Sequence, residues 1–130
     1  MSAHIPATEA EHAGVPPQAL AGIRVIELGQ LIAGPFAGKT LADFGAEVIK
    51  VEPPAAEGSA GGDPLRQWRM LHNGTSVWWQ VQSRNKKSVV LDLRQPDDRE
   101  LAKALIAEAD VVIENFKPGV MEGWGMSYEE

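Results

Sequence analysis

The sequence predicts an α/β fold: a mostly parallel, open sheet with flanking helices. Three observations carry that expectation. Residues 20–52, LAGIRVIELGQLIAGPFAGKTLADFGAEVIKVE, read as strand, turn, helix and strand within about 30 residues, the length of a βαβ unit. Two later β-branched runs, SVVLD at 88–92 and VVIEN at 111–115, are separated by a segment of helical character. A strand that alternates with a helix in this way builds a parallel sheet, because a parallel neighbour can be reached only by a crossover.

The elements follow in order. Arg24 to Leu28 is a short β-branched strand, and Gly29 to Gly34 breaks it. Pro35 suits a first helical residue, since its fixed φ is helical and the donor that it lacks is orphaned there anyway. Phe36, Leu41 and Phe44 recur at helical spacing, and Gly45 stops the helix. Glu47 to Val51 is a second buried strand. Glu52 to Gly62, rich in Pro, Ala and Gly, is a long loop, and long loops in compact domains are commonly functional. Gly62-Asp63-Pro64-Leu65-Arg66 is a turn followed by positive charge, flanked by Trp68, Trp78 and Trp79.

Ser76 to Gln82 fits a short helix or a strand equally well. Ser83 to Lys87 is a basic turn and Ser88 to Asp92 a third strand. Pro96, Asp97 and Asp98 open a helix with acids in its positive first turn. It runs to about Ala109 with Leu101, Ala104 and Leu105 as its buried stripe. Val111 to Asn115 is a fourth strand, and Pro118 to Trp124 one or two helical turns. Ser127-Tyr128-Glu129-Glu130 reads as a capping serine followed by acids, the start of a further helix. A sheet followed by one turn of its next helix reads as the N-terminal part of a longer protein.

Composition narrows the function. At 130 residues and 44% apolar content, one domain with a real core is expected, over residues 20–130. Residues 1–19 read as a flexible lead-in without the basic start and apolar stretch of a secretory signal. A net charge of −6 argues against a nucleic-acid partner. There is no cysteine, and His4, His12 and His72 are scattered, so neither a thiol nucleophile nor a metal site is expected. No apolar run approaches a membrane span, so the expected localisation is cytoplasmic, with no membrane partner.

Two nucleotide motifs come close and fail. Ala33 to Thr40, AGPFAGKT, nearly matches G-x-x-x-x-G-K-[ST]. Ala33 replaces the first glycine, Pro35 removes one backbone donor, and Gly45 arrives too soon after Lys39 for a P-loop helix. Glu52 stands where a ribose-binding acid would end a second strand, but Gly29 and Gly34 do not make G-x-G-x-x-G. What the topology does bring together is the C-terminal ends of the strands. There Arg94 and Asn115–Phe116 join the Gly29–Pro35 turn, which opens a helix whose N-terminus favours an anion. Cation, amide and aromatic ring at one edge suit an aromatic ring with phosphates attached. The bland alternative for Arg84, Lys86, Lys87 and Arg94 is solvated turn charge.

In order along the chain, GQLIAGP, LADFGAEVIKVEPP, GGDPLR, SRNKKSVVLDL, ADVVIENFKPGVMEGWG and SYEE together resemble the class III coenzyme A transferase family. That family includes formyl-CoA, carnitine-CoA and succinyl-CoA transferases, and α-methylacyl-CoA racemases share its fold. The resemblance covers Leu20 to Glu130. It implies a Rossmann-like domain that binds coenzyme A and a homodimer of interlocked chains. It also implies transfer from an acyl-CoA to a carboxylic acid through an aspartyl anhydride and an enzyme-CoA thioester. The positions that match its coenzyme A contacts are Leu31, Ile32 and Ala33 in the first turn, Leu91 and Arg94 around the third strand, and Asn115 and Phe116 after the fourth. Arg84, Lys86 and Lys87 match its basic turn. Gly123 stands where members often carry arginine. The nucleophilic aspartate is expected beyond Glu130, since none of Asp43, Asp63, Asp92 or Asp110 matches its motif, and Asp43 and Asp92 read as structural. The alternatives are a racemase, a coenzyme A-binding module without chemistry, and, more remotely, a P-loop nucleotide-binding protein.

Overall fold

The computed structural model describes residues 17–129. Most of the predicted lead-in, and Glu130, therefore lie outside the described residues. Strand β1 (Arg24–Glu27) leads through the glycine turn to helix α1 (Ala33–Asp43) and strand β2 (Glu47–Glu52). A 3-10 turn at Pro64–Gln67 and a small antiparallel hairpin, β3 (Leu71–His72) with β4 (Thr75–Ser76), precede the short helix α2 (Val77–Gln82). Strand β5 (Lys86–Val90), helix α3 (Pro96–Ala107), strand β6 (Val111–Ile113) and helix α4 (Val120–Gly123) complete the order.

The main sheet has four strands in the order β5-β2-β1-β6, and every pairing is parallel. The chain thus builds outward from β1 to β2 to β5, then returns to place β6 on the other side of β1. That reversal is the switch point at which open α/β sheets form a ligand crevice.

Alternation along the strands separates two apolar layers. Val25 and Val48 pack with Ala42 and Ala46 under α1. Ile26, Leu28, Val51 and Leu91 pack with Ala102 of α3 and with Met126. Helices therefore cover both faces, as a parallel sheet requires. Burying a side chain such as Ile26 or Leu28 stabilises by about 1.5–3 kcal/mol, and truncating Ile26 to alanine removes about 2–5 kcal/mol.

Several expectations shift. Pro35 is the third residue of α1, still inside the turn where a donor is not required. The buried face of α1 is Gly34, Pro35, Gly38 and Ala42, while Phe36 and Phe44 are exposed. The helix lies so close to the sheet that a Cβ on Gly38 would fall 2.0 Å from the Glu27 carboxylate. Small residues form that contact, and the aromatic rings face outward. On α3 it is Ala102 that is fully buried; Leu105 packs partly against the core, and Leu101 and Ala104 are exposed. Residues 76–82 resolve as helix, because the Ser76 hydroxyl accepts from the Trp78 and Trp79 amides and caps it. Strand β5 starts two residues early, taking Lys86 and Lys87 out of the basic turn and pairing them with Val48 and Ile49. Gly45, at φ +103°, ends α1 as expected. Tyr128 and Glu129 form a turn, and no helix starts at Ser127 among the described residues.

Candidate functional site

A cleft of about 270 Å³ opens at the C-terminal ends of the strands. Leu28 and Gln30 line it after β1, Val51 to Pro54 after β2, Leu91 to Arg94 after β5, and Phe116 and Trp124 after β6. Every strand of the main sheet therefore contributes to one depression. The wall is apolar at Leu28, Val51, Leu91 and Phe116, with a cation at its rim. The Phe116 ring meets Trp124 edge to face, with centroids 5.2 Å apart, which fixes its orientation.

Of the residues predicted for the site, Leu91, Arg94 and Phe116 come together in this cleft. Leu31, Ile32 and Ala33 sit exposed on the adjoining turn and at the start of α1. Asn115 is committed elsewhere: its Oδ1 accepts from the Gln30 amide at 2.7 Å, and its Nδ2 donates to the Gln30 carbonyl at 3.0 Å. It latches the turn after β1 to the end of β6. Arg94 forks onto Asp92, with Nε and one terminal nitrogen 2.7 and 3.0 Å from the two carboxylate oxygens. That contact holds the Asp92 carboxyl down at about 2 and raises the guanidinium.

The basic turn is spoken for. Arg84 contacts Asp43, and Lys87 contacts Glu47. The Lys39 ammonium, 2.8 Å away, holds the Asp43 carboxyl below its usual range. The structure counts against the P-loop alternative: Ala33 to Thr40 is helix, so from Phe36 onward its amides bond within the helical ladder and only the Ala33 and Gly34 amides are left over from it, too few for a phosphate cradle. Asp43 and Asp92, which the sequence reads as structural, each pair with cations of this chain, Asp43 with Lys39 and Arg84 and Asp92 with Arg94.

On the α1 side of the sheet, at the same strand ends, lies a buried charge cluster that the sequence reading missed; Glu52 alone of its members also lines the cleft. The parallel register sets Glu27 directly beside Lys50. Lys50 Nζ lies 2.8 Å from both Glu27 Oε1 and Asp63 Oδ2, and donates to the Gly29 carbonyl at 2.7 Å. Lys86 Nζ reaches Glu27 Oε2 and the Pro35 carbonyl, each at 2.7 Å. Burial lowers the Lys86 ammonium pKa, more than Glu27 restores it. Glu52 accepts from Arg66, Ser88 and the Asp63 amide. Burial opposes its charge, yet these donors bring its carboxyl to about 2. Arg66 in turn lies over the Trp79 ring, its guanidinium carbon 3.9 Å from the centroid. Glu27, Asp63 and Glu52 balance Lys50, Lys86 and Arg66, so the cluster is neutral as a whole. The signal was available: β1, RVIE, ends on Glu27, and β2, EVIKVE, carries Lys50 within an otherwise apolar stretch. Among the described residues, no three carboxylate or imidazole groups are arranged to hold a metal.

The sequence profile of CoA-transferase family III matches residues 20–130. The chain belongs to CoA-transferase family III. Within that family it is 53% identical over 116 residues to the succinyl-CoA–D-citramalate CoA-transferase of Chloroflexus aurantiacus, a match covering 88% of this chain and 28% of that protein. It is 46% identical over 112 residues to the alpha subunit of the succinyl-CoA–L-malate CoA-transferase of the same organism, covering 84% and 25% respectively. Among solved structures, a CAIB/BAIF family protein from Brucella suis superposes with a TM-score of 0.76 at 42% identity, over 88% of this chain and 30% of that one. This family III chain thus spans between a quarter and a third of the length of the relatives that it matches. The parallel sheet flanked by helices is common to it and to its structural neighbour.

Proposed function

We propose that the protein to which this chain belongs transfers coenzyme A from an acyl-CoA to a carboxylic acid, and that this chain supplies the surface that holds coenzyme A. The observation that carries this reading is the convergence of Leu91, Arg94 and Phe116 from two separate segments into one cleft at the strand ends. In this reading the adenine ring packs on Phe116, and Leu31, Ile32 and Ala33 form an apolar shoulder. Arg94 trades Asp92 for phosphate, a strong exchange for a guanidinium already shaped to bind two oxygens. The exposed start of α1 supports it: Ile32 makes no side-chain cap, and no acid lies in the first turn.

The chemistry we propose uses an aspartate outside the 130 residues. Its carboxylate attacks the acyl-CoA carbonyl and expels the CoA thiolate, leaving a mixed anhydride. The thiolate attacks the aspartyl carbonyl, releasing the donor acid and leaving an enzyme-CoA thioester. The acceptor carboxylate and the thiolate then repeat the two steps in reverse. Both transferases named above take succinyl-CoA by name, which makes it the first donor to assay. We further propose an interlocked homodimer in the cytoplasm as the working form.

Two measurements test the reading. Equilibrium binding to the full-length gene product should favour coenzyme A over MgATP, and tighter MgATP binding would sink the proposal. Transfer from succinyl-CoA to a panel of dicarboxylic acids, with hydroxylamine present, should trap an adduct on an aspartate outside residues 1–130. The isolated 130-residue chain should neither turn over nor form that adduct.

A further inference from the structure

The turn from Gly29 to Pro35 is exposed, carries the residues Leu31, Ile32 and Ala33, and puts Gln30 into the cleft wall. Loops so placed are usually free to move. This one is held by side chains from other elements at four of its backbone positions, Gly29, Gln30, Leu31 and Pro35. Asn115 holds both backbone groups of Gln30. Lys50 holds the Gly29 carbonyl, and Lys86 the Pro35 carbonyl. At the centre stands Leu31, whose φ of +63° puts a bulky residue in the left-handed region. Such a conformation costs about 1–2 kcal/mol for a residue other than glycine and persists only where its surroundings impose it.

Here the Asp63 carboxylate holds it, its Oδ1 nearer to the Leu31 amide and its Oδ2 at 3.3 Å. Asp63 Oδ1 accepts from the Leu31 amide at 3.0 Å and from the Leu65 amide at 2.8 Å. Asp63 itself is fully buried, 32 residues further along the chain. Its other oxygen is held by Lys50, and its own amide donates to Glu52 at 2.8 Å. The carboxylate therefore cannot swing away from Leu31 without breaking the buried cluster.

We propose that Asp63 is a positioning residue for the ligand cleft: its Oδ1 anchors Leu31 in the left-handed conformation and so fixes the wall against which coenzyme A binds. This rests on the reading of the cleft as a coenzyme A site. Asp63 does not touch the ligand. It acts through Leu31, with Lys50 as the counter-charge that makes a buried carboxylate tolerable.

The test separates anchoring from charge. Asp63→Ala/Lys50→Met and Asp63→Asn/Lys50→Met both remove one acid and one base, so both keep the cluster neutral. They differ in whether an oxygen remains for Leu31. Coenzyme A binding by calorimetry and amide exchange at Leu31 by NMR are measured on the full-length gene product. The alanine variant should bind coenzyme A about tenfold more weakly than the asparagine variant, the loss of roughly one anchoring hydrogen bond. Its Leu31 amide should exchange about tenfold faster, the same free-energy difference read on the turn itself. Val48→Ala, a core cavity two residues before Lys50, supplies a variant of reduced melting temperature whose affinity and Leu31 exchange should stay at wild-type values. Equal affinity and equal exchange in the two double variants overturn the proposal, as does an affinity loss in Val48→Ala as large as in the alanine variant. If wild type binds no coenzyme A, the functional reading falls, and Leu31 exchange alone decides the anchor: equal rates reject it, a faster rate in the alanine variant upholds it.

Discussion

Lys50 and Glu27 face each other across neighbouring parallel strands, fully buried, with 2.8 Å between ammonium nitrogen and carboxylate oxygen. Removing either partner leaves the buried cluster with one charge out of balance, because the remaining opposite charges, Lys86 beside Glu27 and Asp63 beside Lys50, are already shared. Lys50→Met should destabilise the fold by about 3–5 kcal/mol, the usual cost of breaking a buried pair from one side. Glu27→Gln/Lys50→Met should cost less than the sum of the single changes. Urea unfolding of the four proteins gives the coupling; strict additivity would show that the pair does not act as a unit.

Acid should weaken the fold through Glu52. Its carboxyl lies at about 2 in the folded chain against an ordinary 4.5. A depressed folded pKa gives stability that is present above the ordinary value and lost as pH falls from 4.5 toward 2. Because Arg66 is partly open to solvent, the amount is on the order of 2 kcal/mol. Glu52→Gln should flatten the dependence of melting temperature on pH across that window. A slope equal to wild type would mean that other carboxylates carry the acid sensitivity.

Phe116→Ala should weaken coenzyme A binding by roughly 1–2 kcal/mol through lost stacking and burial. The Trp124 ring loses its edge-to-face partner at the same time, so circular dichroism should accompany the titration. Unchanged affinity would move the adenine away from this strand end.

Arg94 and Asp92 should act in opposite directions. Arg94→Ala should weaken binding, more at low salt than at high salt, because an exposed cation is screened. Asp92→Asn should strengthen it at low salt by releasing the guanidinium that the carboxylate now holds. The two titrations at low and high ionic strength decide; a weaker Asp92→Asn would show that Asp92 orients Arg94 for the ligand rather than competing with it.

Gly123 closes α4 beside Trp124, and nothing lies within 4 Å of where its Cβ would stand. Gly123→Arg should therefore be accommodated without loss of stability and should tighten coenzyme A at low salt by up to about 1 kcal/mol, the worth of a solvent-exposed phosphate contact. Thermal melts and titrations check both halves, and unaltered affinity would place the phosphates away from α4.

The sequence by itself determined the parallel sheet, the turn at Gly29–Pro35, the stop at Gly45 and the gathering of Arg94 and Phe116 at the strand ends. These follow from local period and punctuation, and from the rule that a crossover returns the chain in parallel. Through Ala33, Pro35 and Gly45 it also weighed against a P-loop at AGPFAGKT, which stayed a remote alternative. Tertiary structure decided what local pattern does not hold. Phe36 and Leu101 have the spacing of core residues, yet the close approach of α1 to the sheet selects Gly38 for burial, and on α3 it is Ala102 that faces the core. Lys86 reads as solvated turn charge, yet β5 carries it inward to Glu27. Asn115 reads as a ligand contact, and the fold spends both of its polar groups on Gln30. Asp63 shows the physical reason most plainly. A carboxylate in a Gly-Asp-Pro turn is ordinary in sequence. It becomes an anchor for Leu31 because the loop after β2 folds back to set it between Lys50 and the Gly29–Pro35 turn, a relation between segments that no one segment records.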